Sequence, residues 1–311
     1  MIDAVAMVPP RLLRSPLRQW LHERCEAAGV ALRWLDVSTD CSKYCEEVRE
    51  TKNVIAWNCR VPQDWMGRHG RNVLYVDNSL INQSAGVFVD RGGFFSRSNL
   101  NRKQVWKEGH RYSLKFIARK WFGWEHGLKG NQNGPVLVAL QCRRDCNLQT
   151  EFPLAEGCDD SVLQTLRLLE RHLPDVPALI RPHPRERADF DSQGIWRSNW
   201  RMDMEGSFTQ RLPQCRALVT VNSTCATEAC LTGMPIAVLG TGTFTGSGAV
   251  LECHEDASRL VNLFGQPDMG ARTKYAAAVL SSHFLPYDLR APRVCREFED
   301  WLRECISPLP S

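Results

Sequence analysis

The chain has 311 residues, of which 43% are hydrophobic and 24% are charged, and its formal net charge is +4 at pH 7. These values are typical of a globular protein with a sizeable core, and they exclude a disordered or fibrous chain. The positive excess is too small to indicate nucleic-acid binding, and no apolar run approaches the roughly 20 residues of a membrane span.

Strand-like and helix-like segments alternate through the first part of the chain. A helix is predicted to begin at Ser15-Pro16 and to end at Gly29, because a serine cap followed by proline favours a helix start. Residues 77–100 are rich in Asn, Ser and Gly and predict loops around one short strand, 87–90. A basic and aromatic helix is predicted at 102–124. The other predicted strands are 3–8, 30–37, 53–57 and 72–76.

The same alternation returns after a predicted linker at residues 129–134. Repeated alternation of this kind predicts mostly parallel sheets covered by helices, which is the α/β class. The predicted strands of this part are 136–141, 178–181, 217–221 and 236–239, and the main predicted helices are 159–172, 223–232 and 292–305.

Two similar halves predict two Rossmann-like domains that face a cleft, an arrangement like the GT-B fold. The predicted boundaries give residues 1–130 to a first domain and 131–290 to a second, with a C-terminal helix in 291–311 that packs back on the first. Ligands of open α/β sheets bind beyond the carboxyl ends of the strands. The candidate functional residues are therefore those that directly follow a predicted strand.

One candidate cluster runs from Gln141 to Asp145 and contains Arg143 and Arg144. A carboxylate beside two guanidinium groups stays ionised and can act as a nucleophile. A helix cap or a loop ion pair gives the same pattern, and structural ion pairs are common.

A second cluster is the sequence RPHP at residues 181–184, which also follows a predicted strand. The two prolines hold His183 in an extended segment, and Arg185 and Arg187 come next. A histidine among arginines suits a phosphate oxygen as hydrogen-bond partner. The alternative is a surface turn with a solvated histidine.

A third cluster, Asn222-Ser223-Thr224, lies between a predicted strand and a predicted helix. Main-chain N–H groups at a helix start and nearby hydroxyl groups can bind an anion. Glu228 follows about one and a half turns later and could bind a ribose hydroxyl. An ordinary Ser/Thr helix cap is the alternative.

A fourth cluster comprises Asp77-Asn78-Ser79 and, further on, Asp90 with Gly92-Gly93. Asp77 is a candidate acid/base residue, and the glycines would let a substrate approach the backbone. This cluster would lie in the first domain, opposite the other three.

The thirteen cysteines have irregular spacings, and the N-terminal sequence lacks the pattern of a secretory signal. We therefore expect reduced thiols in the cytoplasm rather than a disulfide scaffold. Cys41/Cys45 and Cys142/Cys146 have no CxxC or HxxxH partners, which favours ordinary thiols over a zinc site. No metal ion and no cofactor are expected.

Taken in order and spacing, these clusters resemble the bacterial capsule polysaccharide biosynthesis family of β-Kdo glycosyltransferases, which transfer the acidic sugar Kdo from CMP-Kdo. The resemblance covers residues 73–245, and Asp77 stands where the family often has Glu. The motifs that carry it are Asp77-Asn78-Ser79-Leu80, Asp90 with Gly92, Gln141 to Asp145, Pro182-His183-Pro184, Asn222-Ser223-Thr224 with Glu228, and residues 233–239.

The resemblance implies a two-domain GT-B-like fold, a CMP-sugar donor and a saccharide or lipid-linked acceptor. It further implies a retaining reaction in which Asp145 attacks the anomeric carbon, Asp77 is the acid/base and His183 holds the CMP phosphate. The implied donor-binding residues are Gln141, Arg144, Arg181, His183, Pro184, Asn222, Ser223, Thr224 and Glu228. The implied acceptor side consists of Asn78, Ser79, Asp90 and Gly92.

Two other functions remain open at this point. An inverting transferase of the CMP-sialic-acid type would use Asp77 or Asp90 as general base and would not need Asp145. A non-catalytic module that binds an anionic polymer or a membrane surface would use the basic and aromatic residues of 102–121. A peripheral membrane contact is also compatible with a transferase whose acceptor is lipid-linked.

Overall fold

The structure, a computed structural model, forms two compact α/β units. The first consists of residues 1–99 and 278–311, and the second of residues 100–277. The described residues are 3–8, 16–36, 45–51, 53–57, 65–66, 68, 72–81, 86–94, 97–101, 119, 130–143, 148–158, 160–186, 196–286 and 295–306.

The first unit contains a six-stranded sheet with the order β12-β5-β4-β3-β1-β2. Strands β1 to β4 are mutually parallel, whereas β5 is antiparallel to β4, and β12 is antiparallel to β5. All five side chains of β1 and of β5 are buried, as expected for strands inside a covered sheet. Its elements are β1 Ala4–Val8, α1 Pro16–Ala27, β2 Leu32–Asp36, α2 Cys45–Thr51, β3 Asn53–Trp57, β4 Asn72–Asn78, β5 Gly86–Asp90, a π-helical turn Val279–His283, β12 Phe284–Pro286 and α8 Arg296–Ile306.

The second unit contains a fully parallel six-stranded sheet with the order β11-β10-β9-β6-β7-β8. Its elements are β6 Val136–Ala139, α3 Leu148–Glu151, α4 Ser161–His172, β7 Ala178–Arg181, β8 Trp200–Met202, α5 Phe208–Arg211, β9 Ala217–Thr220, α6 Thr224–Ala229, β10 Ile236–Val238, β11 Leu251–Glu252 and α7 Met269–Ala278.

Each unit has its own hydrophobic core. In the second unit, α4 buries Val162, Leu166 and Leu169 against the sheet, and its N-terminus is capped by Asp160. In the first unit, α8 buries Phe298 and Trp301 completely. These aromatic side chains give the first sheet an apolar cover that comes from the other end of the chain.

The α/β class and the two Rossmann-like units are as the sequence predicts. The unit boundaries fall at 99/100 and 277/278, whereas the sequence placed them at 130/131 and 290/291. The chain enters the first unit again with the π-helical turn, and β12 then pairs with β5. Among the described helices, none is long and apolar enough to cross a membrane.

Candidate functional site

The strand register of the second unit aligns three polar residues beyond the sheet's carboxyl edge. In the central strand β6, Ala139 pairs with Arg181 of β7 on one side and with Thr220 of β9 on the other. Two residues further along each chain come Gln141, His183 and Asn222. Three sequence clusters therefore meet at one edge, because their strands are adjacent and parallel.

Gln141 and Asn222 form a reciprocal amide pair. Gln141 Nε2 donates to Asn222 Oδ1 at 2.7 Å, and the main-chain N–H of Asn222 donates to Gln141 Oε1 at 3.0 Å. The two residues are 8% and 4% exposed. Asn222 Nδ2 is buried and has no hydrogen-bond partner among the described residues. The pair joins the chain after β6 to the chain after β9 and leaves one unused amide donor.

His183 is half-buried and is held through its Nδ1 atom. Cys142 Sγ lies 3.0 Å from Nδ1, and the main-chain N–H of Arg185 donates to the same atom at 3.2 Å. Pro182 is buried, whereas Pro184 is exposed. The sequence did not predict the contact between Cys142 and His183. It follows from the strand register, because Gln141 is aligned with His183 and Cys142 is the residue after Gln141.

Arg143 ties the segment after β6 to two other elements. Its main-chain N–H donates to Glu186 Oε1 at 2.8 Å, and its Nε lies 2.9 Å from Asp160 Oδ2. Asp160 also caps α4, since its Oδ1 accepts from the N–H groups of Val162 and Leu163. Arg143 therefore ties the residues directly after β6 to Glu186 and to the N-terminus of α4.

The third cluster forms the start of α6. Ser223 is the N-cap residue, and its hydroxyl oxygen accepts from the N–H of Cys225 at 3.3 Å. Thr224 and Glu228 are half-buried on this helix. Burial and the nearby Glu228 raise the pKa of the Cys225 thiol to about 12, so this thiol is protonated at neutral pH. Ser223, which the sequence offers as a helix cap, is therefore the N-cap of α6, and the predicted polar residues Thr224 and Glu228 lie on the helix that it caps.

Arg181 donates hydrogen bonds within the second unit. Its Nη1 bonds Asp203 Oδ2 at 2.5 Å, and its Nη2 bonds the carbonyl of Gly206 at 2.6 Å. Asp203 is 4% exposed and also accepts from Arg211 Nε at 2.8 Å. Sequence reasoning did not find Asp203, since it lies after β8, which is only three residues long.

In the first unit, Asp77 and Asn78 are the last residues of β4 and are not in a loop. The strand is longer than the sequence predicted because β5 runs back beside it and pairs Asp77 with Phe88. Asp77 Oδ1 accepts from the N–H of Asn78 at 2.7 Å. Ser79 is completely buried, and its hydroxyl donates to the carbonyl of Ile81 at 2.6 Å.

Asp90 is completely buried and organises the loop after β5. Its carboxylate accepts from Gly92 N at 2.6 Å, Ser98 Oγ at 2.5 Å and Asn99 N at 2.9 Å. A side chain at Gly92 would lie 2.6 Å from the carbonyl oxygen of Arg97. The space beside this glycine is therefore occupied by the chain itself.

Asp90 also belongs to a buried group with His283 and Glu297, whose ligand-type atoms lie within 4.8 Å of one another. His283 Nδ1 lies 2.9 Å from the Val89 carbonyl and 3.3 Å from Asp90 Oδ2. The N–H of Arg91 donates to Glu297 Oε2 at 2.8 Å. Protein donors already point at both carboxylates, which is the arrangement of a hydrogen-bonded network rather than a coordination shell.

Several predicted residues lie outside the described part of the chain. They include Arg144, Asp145 and Arg187, and also Cys41 and Cys146, which the sequence predicts to be ordinary thiols. The basic and aromatic segment at 102–124 also lies outside it, apart from residue 119. The side chains of nine of the thirteen cysteines are described, and all nine are free thiols.

The fold is that of an α/β protein with two Rossmann-like units. The β-Kdo 2,7 transferase of KpsC from Thermosulfurimonas dismutans has a similar structure, with a TM-score of 0.61, 11% identity and 98% of each chain covered. The β-Kdo 2,4 transferase of the same protein matches with a TM-score of 0.56 and 13% identity, covering 89% of this chain and 90% of that one.

The sequence itself matches the family described as capsule polysaccharide biosynthesis protein over residues 114–287, which is more than half of the chain. This chain belongs to that family. The matched range contains all three clusters at the carboxyl edge of the second sheet. Among curated proteins, none matches the sequence significantly.

Proposed function

We propose that this chain is a retaining glycosyltransferase that transfers Kdo, or a related ulosonic acid, from a CMP-sugar to a saccharide or glycolipid acceptor in capsule or lipopolysaccharide biosynthesis. Membership of the capsule polysaccharide biosynthesis family supports the proposal, as does the fold shared with two β-Kdo transferases. The observation that carries it is the alignment of Gln141, His183 and Asn222 at one sheet edge.

We assign the CMP phosphate to His183, Ser223 and Thr224, and the cytidine side to Glu228. The carboxyl edge of a parallel sheet is where α/β proteins bind nucleotides. The unused Nδ2 of Asn222 is one further donor at this edge. The two arginines implied as donor-binding residues, Arg144 and Arg181, suit the phosphate and the sugar carboxylate, because a guanidinium group can form paired hydrogen bonds to either.

The proposed reaction has two displacements. The carboxylate of Asp145 attacks the anomeric carbon of the sugar, a carbon–oxygen bond forms, and CMP leaves with the electrons of the bond that breaks. The acceptor hydroxyl then attacks the same carbon and displaces Asp145, while Asp77 takes the hydroxyl proton. Two successive inversions give retention, as in retaining glycosidases.

Titration with CMP tests donor binding. We expect His183→Ala to weaken CMP binding about tenfold or more, because a hydrogen bond to a charged group contributes about 1.5–3 kcal/mol. The matched control is His172→Ala, which removes a histidine at the end of α4 in the same unit. Isothermal titration calorimetry measures both. Failure of the wild-type chain to bind CMP would remove the proposal.

Incubation with CMP-Kdo tests the covalent step. We expect mass spectrometry of the intact protein to find a sugar adduct that is absent from Asp145→Ala, together with loss of transfer in that variant. Turnover by Asp145→Ala would instead favour an inverting reaction. CMP is a stable leaving group, so the proposal invokes no metal ion, and transfer should persist in EDTA.

We also propose that the protein acts at the inner face of the cytoplasmic membrane, where residues 102–121 would contact lipid head groups. The support is the sequence alone, which combines seven basic with four aromatic residues there. Flotation with vesicles that contain anionic lipid tests this. If the protein bound the vesicles but did not bind CMP, a non-catalytic membrane-binding module would be favoured instead.

A further inference from the structure

Two groups converge on one nitrogen of His183. The main-chain N–H of Arg185 lies 3.2 Å from Nδ1, and Cys142 Sγ lies 3.0 Å from the same atom. A main-chain N–H can only donate a hydrogen bond, so Nδ1 must offer its lone pair. The thiol is then the other donor, and the imidazole proton lies on Nε2.

We infer that Cys142 is a positioning residue whose S–H group, together with the main-chain N–H of Arg185, holds His183 in the Nε2–H tautomer and fixes the orientation of its ring. The inference rests on the proposed function, in which the Nε2–H of His183 donates to the phosphate of the donor. A histidine in the other tautomer would present a lone pair at Nε2 to that phosphate. The partner of one ring nitrogen commonly decides what the other can do.

The position of Cys142 follows from the fold. Gln141, one residue earlier, is fixed by its amide pair with Asn222, and Arg143, one residue later, is fixed by Glu186 and Asp160. Cys142 is thus held on both sides, and its thiol has little freedom to leave the imidazole. This rigidity distinguishes Cys142 from a cysteine that merely lies near the site.

The same geometry argues against a thiolate–imidazolium pair such as a nucleophilic cysteine needs. A proton on Nδ1 would point at the N–H of Arg185, so two donors would face each other. Cys142 is therefore a neutral thiol and not a nucleophile. Its function is to hold a histidine that binds substrate.

Long-range ¹H–¹⁵N spectra of ¹⁵N-histidine-labelled protein test the inference without any ligand, with His183 identified from the spectrum of His183→Gln. We expect the Nε2–H tautomer in the wild type and in Cys142→Ser, which keeps a hydroxyl donor. In Cys142→Ala, Nδ1 keeps only the N–H of Arg185 as a donor, so we expect a measurable share of the other tautomer. Cys158→Ala, which removes an exposed thiol of the same unit, is the control.

Affinity for CMP should follow the tautomer. We expect Cys142→Ala to weaken binding about threefold to tenfold, as for loss of one hydrogen bond of about 0.5–1.5 kcal/mol, and Cys142→Ser to restore it. An unchanged His183 spectrum in Cys142→Ala, or rapid alkylation of Cys142 at pH 6, would overturn the inference. If the tautomer changed in Cys142→Ala but the wild type did not bind CMP, the inference about Cys142 would stand and the proposed function would fail.

Discussion

At the scale of residues, Gln141 illustrates how the edge of the second sheet is held together. Its side chain satisfies the main-chain N–H of Asn222, which is buried. A buried donor that loses its acceptor costs about 1–3 kcal/mol. Gln141 therefore has a structural task in addition to its proposed place in the donor site.

We expect Gln141→Met to lower the free energy of unfolding by about 1–3 kcal/mol, because Asn222 N is left unpaired. The control is Gln164→Met, which removes one hydrogen bond from Gln164 Nε2 to the Leu154 carbonyl and should cost only about 0.5–1.5 kcal/mol. Urea denaturation compares the two. Equal losses would show that the amide pair does not brace the edge.

Residue patterns predicted this site in part. The clusters around Gln141, His183 and Asn222 were each found because polar residues directly follow apolar strands. Their partners Asp160, Glu186 and Asp203 were not found as partners, since nothing in the spacing links them to the arginines they contact. Such pairs form between side chains of segments that are distant in sequence, and a single sequence contains no spacing pattern that reveals them.

At the scale of elements, the inner strands were predicted well, whereas three of the four edge strands were not predicted. The ranges for β3 and β7 agree with the structure, because both strands are continuous apolar runs inside a sheet. The short strands β8, β11 and β12 were missed. They lie at or next to sheet edges, where partial exposure and short length remove the apolar signal.

Helix α7 depends on a buried arginine. Arg272 is 1% exposed, and its guanidinium group donates to the carbonyls of Ala249, Thr232 and Met234 at 2.7–2.9 Å. These carbonyls belong to the turn between α6 and β10 and to the segment before β11. Burial lowers the pKa of the Arg272 guanidinium group from its ordinary value.

We expect Arg272→Met to destabilise the second unit by about 1.5–3 kcal/mol, the contribution of hydrogen bonds to a charged group. Arg259→Met, at an exposed position, should change stability by less than about 0.5 kcal/mol. Hydrogen exchange of peptides from β9 and β10 measures the effect where it should occur. Unchanged hydrogen exchange in Arg272→Met would show that the hydrogen bonds of Arg272 do not stabilise these strands.

At the scale of the whole molecule, both ends of the chain build the first unit. The sequence predicts that the C-terminal helix packs on the first domain, and in the structure α8 contacts β4 and β5. The π-helical turn and β12 were not predicted, because five residues of a π-helix have no sequence signature. His283 lies in that turn, next to Asp90 of β5 and Glu297 of α8.

This buried group makes the stability of the first unit depend on pH. Burial lowers the pKa of His283, but Asp90, Glu297 and the Val89 carbonyl raise it further, so the result lies above the ordinary 6.5. A histidine with a higher pKa in the folded state binds protons more tightly there, and its stabilisation is complete below pH 6.5. Burial and Asp90 also raise the pKa of Glu297, which acts in the same direction from pH 4.5 upward.

We therefore expect the first unit to lose stability as the pH rises above about 6.5 through the folded-state pKa of His283. Hydrogen exchange of β4 and β5 peptides between pH 6 and 8, corrected for intrinsic rates, measures this loss. His283→Gln should flatten the dependence, since glutamine keeps polar contacts but does not titrate. His22→Gln, at an exposed position of α1 in the same unit, should leave it intact. If His283→Gln retained the full pH dependence, another group would have to bind the proton, and the network between β5, the π-helical turn and α8 would be structural only.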